Sequence, residues 1–296
     1  MRRAVELFQQ ATQADPDYAE AYAFLALTKS MGRGQLDIQG AEIALQRAVE
    51  LDPELPTAWL AQSFVAKSTF NFPEADRALR SVVQLEPRNA LAIHLLGIVQ
   101  FQLGRYEEAR QLGQRAVDLD STSPFYRVFL ADYCMALGLI DEGIANFSVA
   151  NTTGIIHNST DQLMWRIVTG DTGGALEILQ ATQAAGQKFQ NLLFINALIL
   201  IQKGKQQEAR ELIIDAQIID AQIIRSQGVP KTPAVITFVY LGEIEAANRV
   251  MEAMLEKTGS LSFLKAYLRY LPDLPMEKTR FNELREKIGL PGLDNR

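Results

Sequence analysis

The amino-acid sequence predicts an all-α protein, a solenoid of antiparallel helix pairs. Three observations predict it. Small and turn-forming residues recur 34 apart: Gly104 and Gly138, Ala116 and Ala150, Ala75 and Ala109, Gly170 and Gly204, Pro53 and Pro87. Apolar residues fall at helical spacing, as in Leu95, Ile98, Val99 and Leu103, which puts a stripe on one face of each helix. No alternating strand pattern of useful length competes with this periodicity. One hairpin of such helices cannot bury both stripes, whereas stacking on the next hairpin buries them continuously.

The elements follow in order. Residues 1–18 read as a half repeat, a second helix without its first, because Ala4, Phe8, Ala11 and Pro16 keep that frame. A chain cut from a longer protein, or another segment covering Val5, Leu7 and Phe8, would account for it. Residues 19–154 form the regular repeats. Asp15–Pro16 and Asp52–Pro53 stop one helix and start the next, and Gly104 and Gly138 end helices where a left-handed residue is wanted. An insertion of three residues lies near Arg33–Gln39. Residues 155–257 are degenerate repeats: one from about Asn158 with Leu163, Gly170, Ala175 and Leu179, one from about Gln190 with Gly204 and Ala209, and one over roughly Thr232–Lys257. Gly173–Gly174 reads as an inter-helix turn. IIDAQIIDAQII, residues 213–224, reads as a second helix extended beyond the repeat length. Residues 258–296 are expected to be capping helices, broken by Pro272, Pro275 and Pro291.

Composition narrows the function. Apolar residues are 48% of 296 and charged residues 22%, enough for a sizeable core. The net charge of −6 leaves no basic footprint for nucleic acid. The whole imbalance sits in residues 1–150, with 13 Lys+Arg against 19 Asp+Glu. The opening MRRAVELFQQATQADPDY lacks the apolar core of a secretory signal. The longest apolar stretch, Leu192–Ile201, is about half of a membrane span and contains Asn196, so no membrane partner is expected. The single cysteine, Cys134, excludes an internal disulfide and reads as a small buried hydrophobe. The expected compartment is the cytoplasm, or the periplasm if the chain is attached to a membrane-anchored regulator.

Catalytic motifs are missing. There is no phosphate-binding glycine loop, HExxH or GxSxG. With only His94 and His157, little material exists for histidine catalysis or metal binding. Glu107–Glu108 and Asp141–Glu142 sit where second helices begin, and acids there favour the helix macrodipole. No catalytic residue, metal site or cofactor is expected, and the chain reads as a non-enzyme.

The stretch NALAIHLLGIVQFQLGRYEEARQLGQRAVDLD, residues 89–120, resembles the tetratricopeptide repeat, a 34-residue helix–turn–helix unit. Taking Ala90 as position 1, Gly97, Ala109 and Ala116 fall at positions 8, 20 and 27, where the family wants small residues because two helices cross closely. Gln100 at position 11 and Gly113 at 24 depart from its apolar pattern, and Phe70 stands where a neighbouring repeat would have Gly at 15. The resemblance implies a right-handed superhelix whose first helices line a concave groove. Positions 2, 5, 9 and 12 of those helices face the groove. Carried over, the partner-binding residues are Leu60, Phe64, His94, Ile98, Phe101, Phe125, Val128, Asp132, Met135, Phe194 and Leu198, with Ile201 beyond them.

That lining is apolar and aromatic. Repeats that grip a peptide's C-terminal carboxylates use Lys, Asn and Arg at places that here hold Ala23, Leu27, Ala61, Leu91 and Leu95, so that clamp is absent. The expected partner is a protein or peptide segment, an apolar helix or extended strand. RFNELREKIGLPG, residues 280–292, and the opening AVELFQQATQADPDYAEAYAFLA are similar to repeat regions of bacterial signalling proteins, including class III nucleotide cyclases and winged-helix transcription regulators. This resemblance implies a non-catalytic interaction scaffold, a regulatory part of a larger signalling protein whose upstream effector domain is a candidate partner. A self-associating adaptor, forming a homo-oligomer through Val5, Leu7 and Phe8 or the Ile-rich helix, is the alternative, and a helical-repeat enzyme a further one.

Overall fold

The computed structural model describes residues 2–31, 37–151, 160–184, 192–213 and 232–258. Among the described residues there are helices and turns and no strand. In order they are α1 (Arg2–Ala14), α2 (Ala19–Ser30), α3 (Ile38–Leu51), α4 (Pro56–Ser68), α5 (Phe72–Leu85), α6 (Ala90–Gln102), α7 (Tyr106–Leu119), α8 (Pro124–Leu137), α9 (Ile140–Asn151), α10 (Thr160–Val168), α11 (Thr172–Ala184), α12 (Leu192–Gln202), α13 (206–213), α14 (Thr232–Tyr240) and α15 (Ile244–Thr258). The chain divides into two compact units, Met1–Tyr126 and Arg127–Arg296. His157, the Ile-rich stretch after Ile213 and the expected capping helices lie outside the described residues.

One kind of turn recurs in the helix pairs whose turns lie among the described residues. In the N-terminal unit Gly104 takes φ 78°. Its amide donates to the Phe101 carbonyl at 2.9 Å, and the Arg105 amide donates to the Gln100 carbonyl at 2.9 Å. This double bond pattern satisfies the carbonyls a helix end leaves open, and it needs a left-handed residue. Gly138, Gly170, Gly204 and Gly242 repeat it in the C-terminal unit, with φ between 74° and 85°. Phe70 is the exception: it adopts φ 60°, while Asn71 still donates to the Ala66 carbonyl at 2.8 Å. The repeat geometry therefore forces a bulky residue into the left-handed region, at a cost of roughly 1–2 kcal/mol.

Gly173 and Gly174 do not form an inter-helix turn. They lie in the first turn of α11, and the turn itself is at Thr169–Gly170. Asp171 accepts from the Gly174 amide at 2.9 Å, so a capping carboxylate starts the helix before the glycines are reached.

Small residues set the packing distance. In the N-terminal unit Ala26, Ala41, Ala48, Ala61, Ala75, Ala109 and Ala116 are all 0% exposed. In the C-terminal unit Ala131, Ala150, Ala175, Ala197, Ala209 and Ala247 are likewise 0% exposed. A methyl is what fits where two backbones nearly touch, so Ala116→Leu is expected to overpack the crossing and cost about 1–3 kcal/mol, read from the urea midpoint. Gln100, polar at an apolar position, is 0% exposed. It is tolerated because its Nε2 donates to Asp76 Oδ1 at 2.6 Å and its Oε1 accepts from Arg105 Nη1 at 3.0 Å.

The first helix is partly covered by its own chain. Phe8 stacks on Phe24 of α2 with ring centroids 5.3 Å apart, and Val5 packs with it against the Leu25–Ala26 cluster. Leu7, on the other side of α1, remains 52% exposed.

Candidate functional face on the first helices

The N-terminal unit presents its candidate face on α4, α6 and the start of α8. On α4, Leu60 and Phe64 are half-buried, as is Ile98 on α6. Phe125, at the start of α8, is 57% exposed. Beside it, the Tyr126 ring packs on the His94 ring with centroids 4.7 Å apart. Lys67 sits one turn after Phe64, and its Nζ lies 5.0 Å from the centre of the Phe64 ring, a cation–π contact. Among the described residues no carboxylate pairs with Lys67.

Burial tunes both basic groups of this face. Desolvation holds the Lys67 ammonium below its ordinary range. His94 is 7% exposed, and its pKa falls from 6.5 to about 4, first through desolvation and then through the nearby Lys67 charge. Tyr126 is raised by desolvation and by the Asp120 carboxylate. A depressed histidine stabilises the fold fully above the unfolded value and less as pH falls toward the folded one. Wild-type stability is thus expected to drop between pH 6.5 and about 4 by more than that of His94→Gln; urea midpoints at about pH 7 and about pH 4.5 check it.

The C-terminal unit treats the corresponding residues differently. Val128 is half-buried. Met135 is 1% exposed, Phe194 5%, Leu198 0% and Ile201 8%. Asp132 is 2% exposed and accepts from Trp165 Nε1 at 3.0 Å. Phe194 meets Phe238 edge-on at 5.7 Å. Among the described residues no group of three His, Cys, Asp or Glu side chains could hold a metal ion, and no helix is long and apolar enough to cross a membrane.

Comparison with known proteins places the architecture. A family model described as anaphase-promoting complex, cyclosome, subunit 3 matches residues 68–150. The structure is similar to a solved tetratricopeptide repeat protein from Parabacteroides merdae, with a TM-score of 0.54 at 17% identity, over 72% of this chain and 84% of that one. The chain has a tetratricopeptide-like helical-repeat fold. Over 127 residues it is also 32% identical to proteins of Mycolicibacterium paratuberculosis and Mycobacterium avium, each named as an S-adenosyl-L-methionine-dependent methyltransferase. The matched stretch is 40% of the tetratricopeptide-like chain and 41% of each relative.

Within the tetratricopeptide-like frame, the expected groove residues fall into two groups. Leu60, Phe64, Ile98, Phe125 and Val128 keep exposed surface. His94, Phe101, Asp132, Met135, Phe194 and Leu198 are buried by their own chain, so as they stand they offer little surface to a ligand. Phe101, 2% exposed, packs on Tyr106 of α7 at 5.0 Å. A register position gives the direction of a side chain from its helix axis; the neighbouring helix decides whether that direction is open. Two residues of the face were missed. Lys67 occupies position 12 of its repeat, where Phe101 and Met135 stand in theirs, and its charge hid it among apolar candidates. Tyr126 had no positional signal.

Proposed function

We propose that this chain is a non-catalytic scaffold that takes an apolar helix or extended peptide segment on the first-helix face of its N-terminal unit. The observation that carries the reading is the row of partly exposed apolar side chains, Leu60, Phe64, Ile98 and Phe125, on successive first helices. Their exposed carbon is surface a partner can remove from water, at about 25 cal/mol per Å². The similarity of residues 280–292 to closing helices of bacterial signalling proteins supports a regulatory role within such a protein. Chemical cross-linking to the native partner tests the surface. Leu60→Glu with Phe64→Glu is expected to abolish the cross-link, while Ile43→Glu, at a 65% exposed site on α3, retains it. Equal effects of the two changes would count against this face.

A second reading comes from the 32% identity to proteins named as methyltransferases. In it the repeats belong to an S-adenosylmethionine-dependent enzyme and contribute to its cofactor or substrate site. Calorimetric titration of the chain with S-adenosylmethionine separates the two: saturable heat favours the enzyme, and no heat favours the scaffold.

A further inference from the structure

We infer that the segment taken by this face carries an acidic side chain, whose carboxylate docks on Lys67 beside His94. The inference rests on the scaffold reading above and names the chemistry of its ligand. Lys67 is a half-buried cation held over the Phe64 ring, with no carboxylate of the described chain paired to it. A charge removed from water needs compensation, and the ring face supplies only part of it. The titratable groups around this point are Lys67 on α4, His94 on α6, and Tyr126 with the Asp120 carboxylate beyond it. Asp120 is already engaged, accepting from the Thr122 hydroxyl at 2.7 Å and the Thr122 amide at 3.1 Å. Lys67 therefore stands over an apolar ring with no carboxylate of the described residues paired to it.

The carboxylate belongs to a side chain within the segment and not to a chain end. Leu27 of α2 stands at the register position of Phe64 on one side, and Ile98 of α6 on the other, both half-buried. An occupant crossing these helices meets apolar surface before and after Lys67, which a terminating peptide would leave uncovered. The sequence positions that grip terminal carboxylates in related repeats hold Ala23, Leu27, Ala61, Leu91 and Leu95, so Lys67 acts from a different place.

The test uses the full chain and three synthetic heptapeptides of alternating Leu and Ser. One has a central Glu and blocked ends, one a central Gln and blocked ends, and one the central Gln with a free C-terminus. The chain holds only two histidines, so the His94 ring can be followed by NMR and assigned with His94→Gln. The blocked Glu peptide is expected to shift the His94 ring signals and to raise the pH at which His94 titrates above about 4. It is expected to bind about tenfold more tightly than the blocked Gln peptide. Lys67→Met, its fold checked by circular dichroism, should remove that preference. Equal binding of the blocked Glu and Gln peptides overturns the carboxylate site and leaves the apolar face standing. Tightest binding by the free C-terminus overturns the side-chain assignment. No shift with any peptide, or an unchanged preference in Lys67→Met, also overturns the inference.

Discussion

Phe101→Ala is expected to lower the stability of the N-terminal unit by about 3–5 kcal/mol, a loss read from its urea unfolding midpoint. The ring is 2% exposed and packs on Tyr106 at 5.0 Å, between the last turn of α6 and the first turn of α7. Removing it leaves a cavity next to the Gly104 turn, where the backbone is already held by two hydrogen bonds and cannot collapse freely. Phe64→Ala is the contrast. Phe64 is half-buried, with the Lys67 ammonium over its ring, so its removal is expected to cost clearly less stability. A Phe101→Ala chain that unfolds at the wild-type midpoint would place this ring on the open face after all.

Trp165→Ala is expected to be at least as damaging in the C-terminal unit, by about 3–5 kcal/mol from lost packing. Trp165 is 0% exposed, and its Nε1 donates to the Asp132 carboxylate at 3.0 Å. Trp165→Phe separates the two contributions. It keeps most of the ring volume and removes one donor from a buried acid, for about 1.5–3 kcal/mol. Asp132→Leu combined with Trp165→Phe is expected to recover part of that loss, because no polar atom of the pair is then left behind. A double-mutant cycle over the two positions gives the coupling; a coupling near zero would mean that the hydrogen bond contributes nothing.

Much of the fold is legible in local chemistry. The Asp-Pro pairs, the glycines 34 apart and the buried alanines each carry their structural instruction within a few residues, and the helices begin and end accordingly. The candidate face was legible in part. Leu60, Phe64, Ile98 and Phe125 keep exposed surface where the register places them, whereas Phe101 and Met135, also at groove-facing positions, are covered. Lys67 stands in the same register column as Phe101 and Met135, but a charged residue breaks the apolar pattern that marks the face.

What the sequence determined by itself was the succession of helices, the kind of turn between them and the places of closest approach. These depend on backbone conformation and side-chain size, which are properties of single residues and their near neighbours. Only the tertiary structure decided which side chains stay open to a partner and which polar groups meet. Trp165 finds Asp132 from 33 residues away, and His94 feels the charge of Lys67 from the previous repeat. Burial and electrostatics depend on everything within several ångströms in space, and stacking brings together residues that a reading along the chain keeps a full repeat apart.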